Sequence, residues 1–422
     1  MFIGVPPLVT DCEPAHCTAQ DLGLIFDEWY YINAARNIIG RPIILGYTGD
    51  LTAITNNSTL TVTTRYYTVT YVYANATKFT DPNPKHPPLA KLIVAFSALL
   101  LGENAVAYRL PSAIFGTLLL LFLYLAVKKL ATDQVAFYAA TFLSFETLTF
   151  IHSRIFTLDI FMVSLMVLGF CLFLFGHHFA AGAATGLSAL SKELGVIGPA
   201  IILSFLILEQ VASRDLKIGQ TAKVAAKVML GFALPVILLS ASMAIWWNVS
   251  PSQQIQDITS LGNFKVDHYN LNGSYVDIDS SYAQFGRICP PWLWLLNGNA
   301  IEYFNRVIGG SLVVKYVGAM NPLLVYIMLP AVAYSMWHYW STRNRADLFG
   351  LTWWAWSYIV YYPLAFAGRA MYLFYMLPVM GAISLMAANL MCHPKMNAYV
   401  RYLYTGTVIV VMLLQFPMKP LL

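Results

Sequence analysis

Charged residues are scarce in this chain of 422 residues. They make up 11% of it, whereas hydrophobic residues make up 58%. Soluble domains carry about 25% charged residues. Because a globular core cannot bury so much apolar surface, the lipid bilayer must act as solvent for a large part of the chain. The composition therefore predicts an integral, multi-pass membrane protein.

Cysteine and clustered basic charge are also scarce. The five cysteines are too few and too scattered for a disulfide scaffold. Only Cys12 and Cys17 lie close together, and both a disulfide between them and two free thiols remain open. The formal net charge of +5 is spread along the chain, without the basic, aromatic-rich run that a nucleic-acid groove requires. We therefore expect no nucleic-acid partner.

Apolar runs of about 20 residues predict the membrane spans. They lie at 107–127, 133–151, 155–175, 224–247, 321–340, 349–366, 371–391 and 399–416. The stretch 179–209 is also apolar, but Ser191, Lys192 and Glu193 interrupt it. It forms either one long helix with buried charges or two short helices that meet at a polar turn.

Basic residues in short loops predict the orientation of the spans, because cytoplasmic loops are enriched in Lys and Arg. Four basic connections, around Lys128, Arg214, Arg343 and Lys395, lie on one side only if 179–209 crosses twice. We therefore predict ten crossings, grouped in 107–249 and 321–422, with 1–106 and 250–320 as extracytoplasmic segments. Because 1–26 contains no convincing span, we also expect a missing first helix, which would make eleven.

Ionisable residues near a membrane surface are costly and usually functional. Five polar clusters share the predicted outer face. They are Asp27-Glu28; the proline-rich turn 81–91, with Lys85, His86 and Lys91; His152–Arg154 with Asp159; Ser191–Glu193; and Gly368-Arg369 with Tyr372 and Tyr375. Each alone has a structural explanation, such as a helix start, an Arg154–Asp159 ion pair or a snorkelling Arg369. Together they supply the base and the cations that transfer from a phosphate leaving group requires.

These residues resemble the protein O-mannosyltransferase family of GT-C glycosyltransferases, especially its archaeal-type members. The resemblance rests on Phe26-Asp27-Glu28, the HPPLAK-like run Asn83–Leu92, Arg109–Ala113, Ser153-Arg154 with Leu158-Asp159, Ser191-Lys192 with Gly195, Pro291–Trp294, and Arg369 with Tyr372 and Pro378. It runs in order from about residue 24 to 390, and no large soluble domain interrupts it. Aminoarabinose lipid A transferases are more distantly similar.

The resemblance implies an all-α polytopic membrane protein, a GT-C-type helical bundle of about 10–11 transmembrane helices with a large extracytoplasmic first loop. It also implies transfer of a glycosyl residue, expected to be mannose, from a polyprenyl- or dolichyl-phosphate sugar to a hydroxyl, expected to be a protein Ser or Thr, with inversion. A lipid or glycan acceptor is the alternative. A secondary transporter is a more distant alternative. That class of protein predicts internal repeats and charges near the bilayer midplane, whereas the polar clusters here share the predicted outer face.

The resemblance also implies residue roles. Asp27 is expected to be the general base, and Glu28 to orient the acceptor or position Asp27. The expected donor-binding residues are Lys85, His86, Lys91, Arg154, Asp159, Lys192, Arg369 and Tyr372, with His86 and Arg369 favoured for the phosphate. We expect no required metal or other cofactor, although Asp81 with His86 could hold a divalent cation. The active site is expected on the lumenal or extracellular side, in the plasma membrane or the endoplasmic reticulum.

Two further segments are expected near the membrane surface. The apolar run 89–101 has about 13 residues, which is too short to span, so it is expected to lie along the bilayer and hold the proline-rich turn at headgroup depth. Trp292 and Trp294 are expected to be interface anchors rather than a lid over the site.

Overall fold

The structure, a computed structural model, describes residues 26–41, 43–47, 58–63, 68–74, 81–102, 104–214, 217–260, 266–269, 275–277, 288–298, 300–308 and 311–416. Cys12, Cys17 and most of the segment ahead of Asp27 lie outside the described residues, so the expectations about them stay predictions.

Short elements precede the first long helix. They are helix α1 (Glu28–Ile38), strands β1 (Ile43–Tyr47), β2 (Ser58–Thr63) and β3 (Thr68–Ala74), and helix α2 (Leu89–Leu101). The strands form an antiparallel sheet in the order β1-β3-β2. Helix α2 has the bounds that the apolar run predicts, and its orientation relative to a bilayer stays a prediction.

Helices make up most of the remaining described chain. They are α3 (Ala105–Leu130), α4 (Asp133–Ser144), α5 (Thr147–His152), α6 (Leu158–Leu174), α7 (His178–Ser191), α8 (Ile197–Ser213), α9 (Ile218–Trp246), α10 (Pro251–Thr259), α11 (Pro291–Trp294), α12 (Pro322–Tyr326), α13 (Met328–Thr342), α14 (Arg345–Trp354), α15 (Tyr361–Phe366), α16 (Leu377–Met391) and α17 (Ala398–Gln415). Two antiparallel hairpins lie between α10 and α12: β4 (Val266–Tyr269) with β5 (Tyr275–Asp277), and β6 (Ile301–Ile308) with β7 (Ser311–Gly318).

Five helical segments among the described residues are long and apolar enough to cross a membrane. They are Ala105–Leu130, Glu193–Ser213, Ile218–Trp246, Leu373–Met391 and Ala398–Gln415, and Leu89–Leu101 and Leu158–Leu174 are shorter apolar helices. The prediction of an all-α multi-pass bundle is confirmed. The count of ten crossings stays a prediction, because several predicted spans consist of two shorter helices.

The stretch 179–209 is two helices, as one of the two expected alternatives has it. Helix α7 ends at Ser191, Lys192 is extended, and a 3₁₀ turn at Glu193–Val196 leads into α8. The span predicted at 133–151 is also broken, between α4 and α5. There the buried Glu146 caps α5 by accepting bonds from the Leu148 and Thr149 amides, and it also accepts the Asn321 amide, so the break leaves no charge without partners.

The middle of the bundle is formed by α6 and α16, whose residues are buried almost all round. A helix that is apolar on every side is expected in such a position. At the edge, α9 and α17 expose most of their apolar residues, as lipid-facing helices do. Trp294 is fully buried, with its Nε1 donating to the Cys289 carbonyl at 2.7 Å. The expectation that Trp294 anchors the membrane interface is therefore wrong, because its ring is enclosed by protein.

Glycine allows α7 and α9 to pack backbone against backbone. A Cβ at Gly182 would lie 2.0 Å from the Val228 carbonyl oxygen, and one at Gly231 would lie 2.0 Å from the Phe179 carbonyl oxygen. Small residues that let helix backbones approach closely are typical of membrane helix pairs, where burial against another helix gains little hydrophobic energy over lipid.

We predict that Gly182→Ala destabilises the protein by about 1–3 kcal/mol, the usual range for overpacking, because the two helices must separate. The measurement is thermal unfolding in detergent. Gly406→Ala on α17 is the matched control, since a Cβ there meets no atom within 4 Å. Equal melting temperatures for the two variants would contradict the close packing of α7 and α9.

Candidate active site

Asp27 lies at the N-terminus of α1, directly after a residue with unusual backbone geometry. Phe26 has φ of 53°, in the left-handed region that residues other than glycine rarely adopt. Asp27 as a whole residue is partly exposed, and the Tyr31 hydroxyl, one helical turn later, donates to its Oδ2 at 3.5 Å. Helix α1 thus fixes the position of the carboxylate.

The surroundings of Asp27 are poorly solvated and rich in charge. Burial raises the pKa of the Asp27 carboxyl to about 6; Lys192 and His86 oppose this shift, and Asp159 adds to it. The chain therefore brings the first of the predicted acids together with a histidine, a lysine and a third carboxylate from distant segments. A carboxylate with a pKa near 6 is ionised at neutral pH and still basic enough to accept a proton.

Glu28, next to Asp27, has a different environment. It is fully buried and forms a bidentate ion pair with Arg109 of α3, at 2.8 Å from Arg109 Nε and 2.5 Å from Arg109 Nη2. Its Oε1 also accepts the Phe156 amide at 2.8 Å. With both oxygens engaged, Glu28 connects α1 to α3 and to the α5–α6 connection. This geometry supports positioning of Asp27 rather than contact with an acceptor.

Lys91 stabilises the proline-rich turn. Its buried ammonium group pairs with Asp81 and donates to the carbonyl oxygens of Asn83 at 2.6 Å and His86 at 2.8 Å. All three partners belong to the turn, so these contacts hold the turn in shape. Lys85 lies exposed on the outside of the same turn. Binding of the donor phosphate by either lysine stays a prediction.

His86 projects from the turn toward the α7–α8 connection. Its Nδ1 lies 2.8 Å from Glu193 Oε2, and its ring meets the Tyr31 ring edge-on at 6.0 Å between centroids. Because Tyr31 also contacts Asp27, the histidine and the candidate base share one tyrosine as a neighbour. Glu193, the partner of His86, is a residue to which the sequence analysis gave no role.

Asp159, at the start of α6, pairs with Lys192 and not with Arg154. The distance from Lys192 Nζ to Asp159 Oδ1 is 2.7 Å, and both side chains are buried. The ammonium group also lies over the Phe374 ring at 5.0 Å and the Tyr375 ring at 5.8 Å. The expected alternative of a plain Arg154–Asp159 ion pair is therefore wrong, because Lys192 occupies the carboxylate.

Arg154 has an aromatic environment. Its guanidinium group lies 3.4 Å from the Phe150 ring centroid and 5.9 Å from that of Phe416, at the end of α17. Its buried Nε has no hydrogen-bond partner among the described residues. The structure thus places Arg154 against α17, whereas Asp159 and Lys192 face the cluster around Asp27. Its predicted role in donor binding is untested.

Arg369 joins the cluster from late in the chain. It follows Gly368, whose φ of 78° turns the backbone out of α15, and it hydrogen-bonds to Tyr375. Tyr375 also lies within electrostatic reach of Lys192, which connects the arginine with the α7–α8 connection. Tyr372 is half-buried, with its ring stacked on Phe374 at 5.5 Å between centroids. A partly exposed acid, a histidine and two cations therefore meet at one place.

Among the described residues, no group of three or more His, Cys, Asp or Glu side chains is arranged to hold a metal ion. The expectation that the chain requires no metal stays a prediction.

The chain is similar to known proteins in sequence and in fold. A family model described as dolichyl-phosphate-mannose-protein mannosyltransferase matches residues 85–240. This range contains the proline-rich turn, Asp159 and Lys192, but neither Asp27 nor Arg369.

Two curated relatives extend over more of the chain. The polyprenol-phosphate-mannose–protein mannosyltransferase of Corynebacterium glutamicum is 22% identical over 355 residues, covering 69% of this chain and 67% of that protein. The protein of the same name from Mycolicibacterium smegmatis is 22% identical over 388 residues, covering 74% of this chain and 72% of that protein.

Solved structures share the fold. The apo crystal structure of ArnT from Cupriavidus metallidurans has a TM-score of 0.54 at 16% identity, and the match covers 92% of this chain but 59% of that one. The apo oligosaccharyltransferase of Archaeoglobus fulgidus has a TM-score of 0.50 at 14% identity, covering 97% of this chain and 54% of that one. The chain thus spans little more than half the length of these structures.

The fold and the family model together define a class of similar proteins: the chain has the fold of the GT-C membrane glycosyltransferases. Within that class it is PMT-like, that is, similar to the dolichyl-phosphate-mannose-protein mannosyltransferases. The resemblance seen in the sequence motifs is therefore confirmed.

Arg109 and Tyr31 are the main site residues without a predicted role. Arg109 carried a usable signal, since an arginine near the start of an apolar span needs a buried partner or a functional role. Tyr31 lay unmarked among the aromatic residues around Asp27 and Glu28, and only the helical turn brings its hydroxyl to Asp27.

We predict that Glu28→Gln destabilises the protein by about 3–5 kcal/mol, because Arg109 then stays buried without a counter-charge. Thermal unfolding in detergent measures the change. Asp133→Asn is the matched control, as it removes a carboxylate from the exposed Lys128–Asp133 pair, and surface pairs contribute little. If both variants melted like the unsubstituted protein, the Glu28–Arg109 pair would not hold α1 in place.

Proposed function

We propose that this protein transfers mannose from a polyprenyl-phosphate mannose to a hydroxyl group of a protein Ser or Thr, on the extracytoplasmic face of the membrane. The names of the two curated relatives support the donor and the acceptor. One observation carries the chemistry. The pKa of the Asp27 carboxyl is about 6, and Asp27 lies near Lys192 and His86, which come from two distant segments.

Asp27 acts as the general base. Its carboxylate accepts the proton of the acceptor hydroxyl while that oxygen forms a bond to the anomeric carbon of the sugar. The bond between this carbon and the phosphate oxygen breaks, and the polyprenyl phosphate leaves with the bonding electron pair. A single displacement of this kind inverts the anomeric centre. Positioned general bases typically contribute about 10²–10⁴-fold to rate.

The leaving phosphate needs positive charge and donors that are already in place. Arg369 supplies a planar fork of donors suited to two phosphate oxygens. Lys192 shares Tyr375 with Arg369, and His86 lies near Asp27 as Lys192 does; each of the two has an acidic partner that holds it in position. Arg369 therefore makes the main phosphate contact, and His86 and Lys192 complete the site without a metal ion.

The deciding experiment uses the full chain in lipid nanodiscs with polyprenyl-phosphate mannose carrying labelled sugar. The acceptors are a Ser/Thr-rich peptide and, separately, a lipid or glycan with free hydroxyls. Label on the peptide, in EDTA as well as in buffer, supports the proposal. Label on the lipid or glycan alone would overturn the protein acceptor, and label that stays on the donor throughout would overturn the transfer itself.

We predict that Asp27→Asn lowers the transfer rate by about 10²–10⁴-fold, because the amide has nearly the same shape but cannot accept the proton. Donor binding should survive, as measured by retention of labelled donor on the nanodiscs. Asp133→Asn, the same change on the exposed surface, should leave the rate unaltered. Turnover of the Asp27→Asn variant near that of the unsubstituted enzyme would remove Asp27 from the role of base.

We predict that Arg369→Ala weakens donor binding by about 10–100-fold, the usual effect of losing charge-assisted hydrogen bonds to an anion. Arg369→Lys should restore part of the affinity, since it keeps the charge but loses the fork. Arg345→Ala, which removes an exposed arginine paired with Glu209, serves as control. An unchanged donor KM in Arg369→Ala would show that the phosphate binds elsewhere.

A further inference from the structure

Tyr303 occupies an irregular position in the hairpin of β6 and β7. Glu302 is paired with Val317 and Phe304 with Tyr316, so Tyr303 is an extra residue without a partner of its own in β7. Such a β-bulge bends the strand and re-aims a side chain, and bulges are common next to active sites. The hairpin thus departs from regular pairing at Tyr303, whose side chain is buried, and again between Arg306 and Val307.

The buried side chain of Tyr303 reaches a polar group deep in the bundle. Its hydroxyl lies 2.7 Å from His152 Nε2, at the end of α5, and His152 Nδ1 lies 2.7 Å from the Thr157 hydroxyl. Both ring nitrogens of the fully buried histidine are therefore satisfied, one by the hairpin and one by the start of α6. Removing the tyrosine hydroxyl would leave a buried nitrogen without its partner, which is unfavourable.

The same tyrosine holds Phe26. The two rings stack at 4.2 Å between centroids with 20° between their planes, and the Tyr303 carbonyl accepts the Phe26 amide at 3.3 Å. Phe374 also contacts Phe26, with its ring edge-on at 5.4 Å between centroids. Phe26 is the residue in the left-handed region, which is unfavourable for a phenylalanine and persists only where the surroundings impose it.

Gly318, in the opposite strand, makes room for this arrangement. A Cβ at Gly318 would lie 2.4 Å from the Tyr303 ring. Only glycine at this position lets the ring pass over the backbone of β7. The bulge, the glycine and the histidine are three separate features that fix one side chain.

We propose that Tyr303 is a positioning residue that holds Phe26 in its left-handed conformation and so aims the Asp27 carboxylate into the active site. Its role rests on the proposed function, in which Asp27 is the base. Five other groups interact with Asp27: Tyr30 and Tyr31 from α1, His86 from the proline-rich turn, Asp159 from α6 and Lys192 from the α7–α8 connection. None of them constrains the backbone of Phe26, whereas Tyr303 does so through both its ring and its carbonyl.

The test variant is Tyr303→Phe, which keeps the ring but breaks the bond to His152. The hairpin then loosens and water reaches Asp27. We expect kcat to fall about 10-fold while the donor KM changes less than twofold, because the phosphate site is untouched. We also expect the acid limb of the rate profile, near pH 6 in the unsubstituted enzyme, to move to lower pH. Its direction follows because burial is what raises the pKa of Asp27.

A second readout needs no activity. Amide hydrogen exchange of the peptide containing Phe26–Tyr31 should become faster in Tyr303→Phe, since the loosened hairpin holds the carbonyl of residue 303, the acceptor of the Phe26 amide, less firmly. Tyr404→Phe is the matched control, because its hydroxyl donates to the Leu323 carbonyl at 3.0 Å, remote from Asp27 in the chain and in its contacts. This control should change neither the exchange of that peptide nor the acid limb.

The outcomes separate the two proposals. If the unsubstituted chain transfers no sugar, the proposed function fails, and the exchange measurement alone decides whether Tyr303 holds Phe26. Unchanged exchange together with an unmoved acid limb in Tyr303→Phe would overturn the positioning role. Should Tyr303→Phe fail to fold, Gly318→Ala displaces the ring from the other strand and is judged by the same two measurements.

Discussion

The buried ion pair between Glu28 and Arg109 is the interaction on which the site depends. Glu28 stands at the start of α1, and its partners lie on α3 and at the amide of Phe156, ahead of α6. Breaking a buried pair of this kind typically costs about 3–5 kcal/mol, because it leaves an uncompensated charge. The pair therefore fixes the beginning of α1 against the bundle. It thereby also positions the neighbouring Asp27, which is partly exposed.

The other charged residues around the site also form ion pairs that hold the structure and leave Asp27 to react. Lys91 with Asp81 shapes the proline-rich turn, Glu193 orients His86, and Asp159 holds Lys192. Each pair offsets the desolvation of its members, and the latter two pairs link segments far apart in the chain. Among the described residues of this cluster, Asp27 is the acid that forms no ion pair. Its ionised carboxylate can therefore accept a proton, although burial makes the ionised form less stable than it would be in water.

Much of this arrangement could be predicted from the sequence, but the pairing of its charged residues could not. Apolar runs predict where the helices lie, and the polar interruptions predict which residues approach the site. The choice of partners was not predictable, because it depends on contacts between residues far apart: Asp159 is five residues from Arg154 and yet pairs with Lys192. Tyr303 carried no local signal at all, since its role arises from a bulge whose partner strand ends at Gly318.

The site forms where the helices are interrupted, and the membrane explains why the interruptions gather. Non-helical backbone at membrane depth is tolerated only where protein buries it or where it lines a water-filled cavity. The chain leaves helical geometry at 153–157, at Lys192 and at 367–372, and each of these breaks lies beside a group of the candidate site. Placing the breaks together therefore lets one polar region satisfy their backbone groups, and it assembles a polar reaction site from one constraint. The stacking of Tyr303 on Phe26 then fixes the backbone next to Asp27, where a base must be accessible to a hydroxyl but poorly solvated.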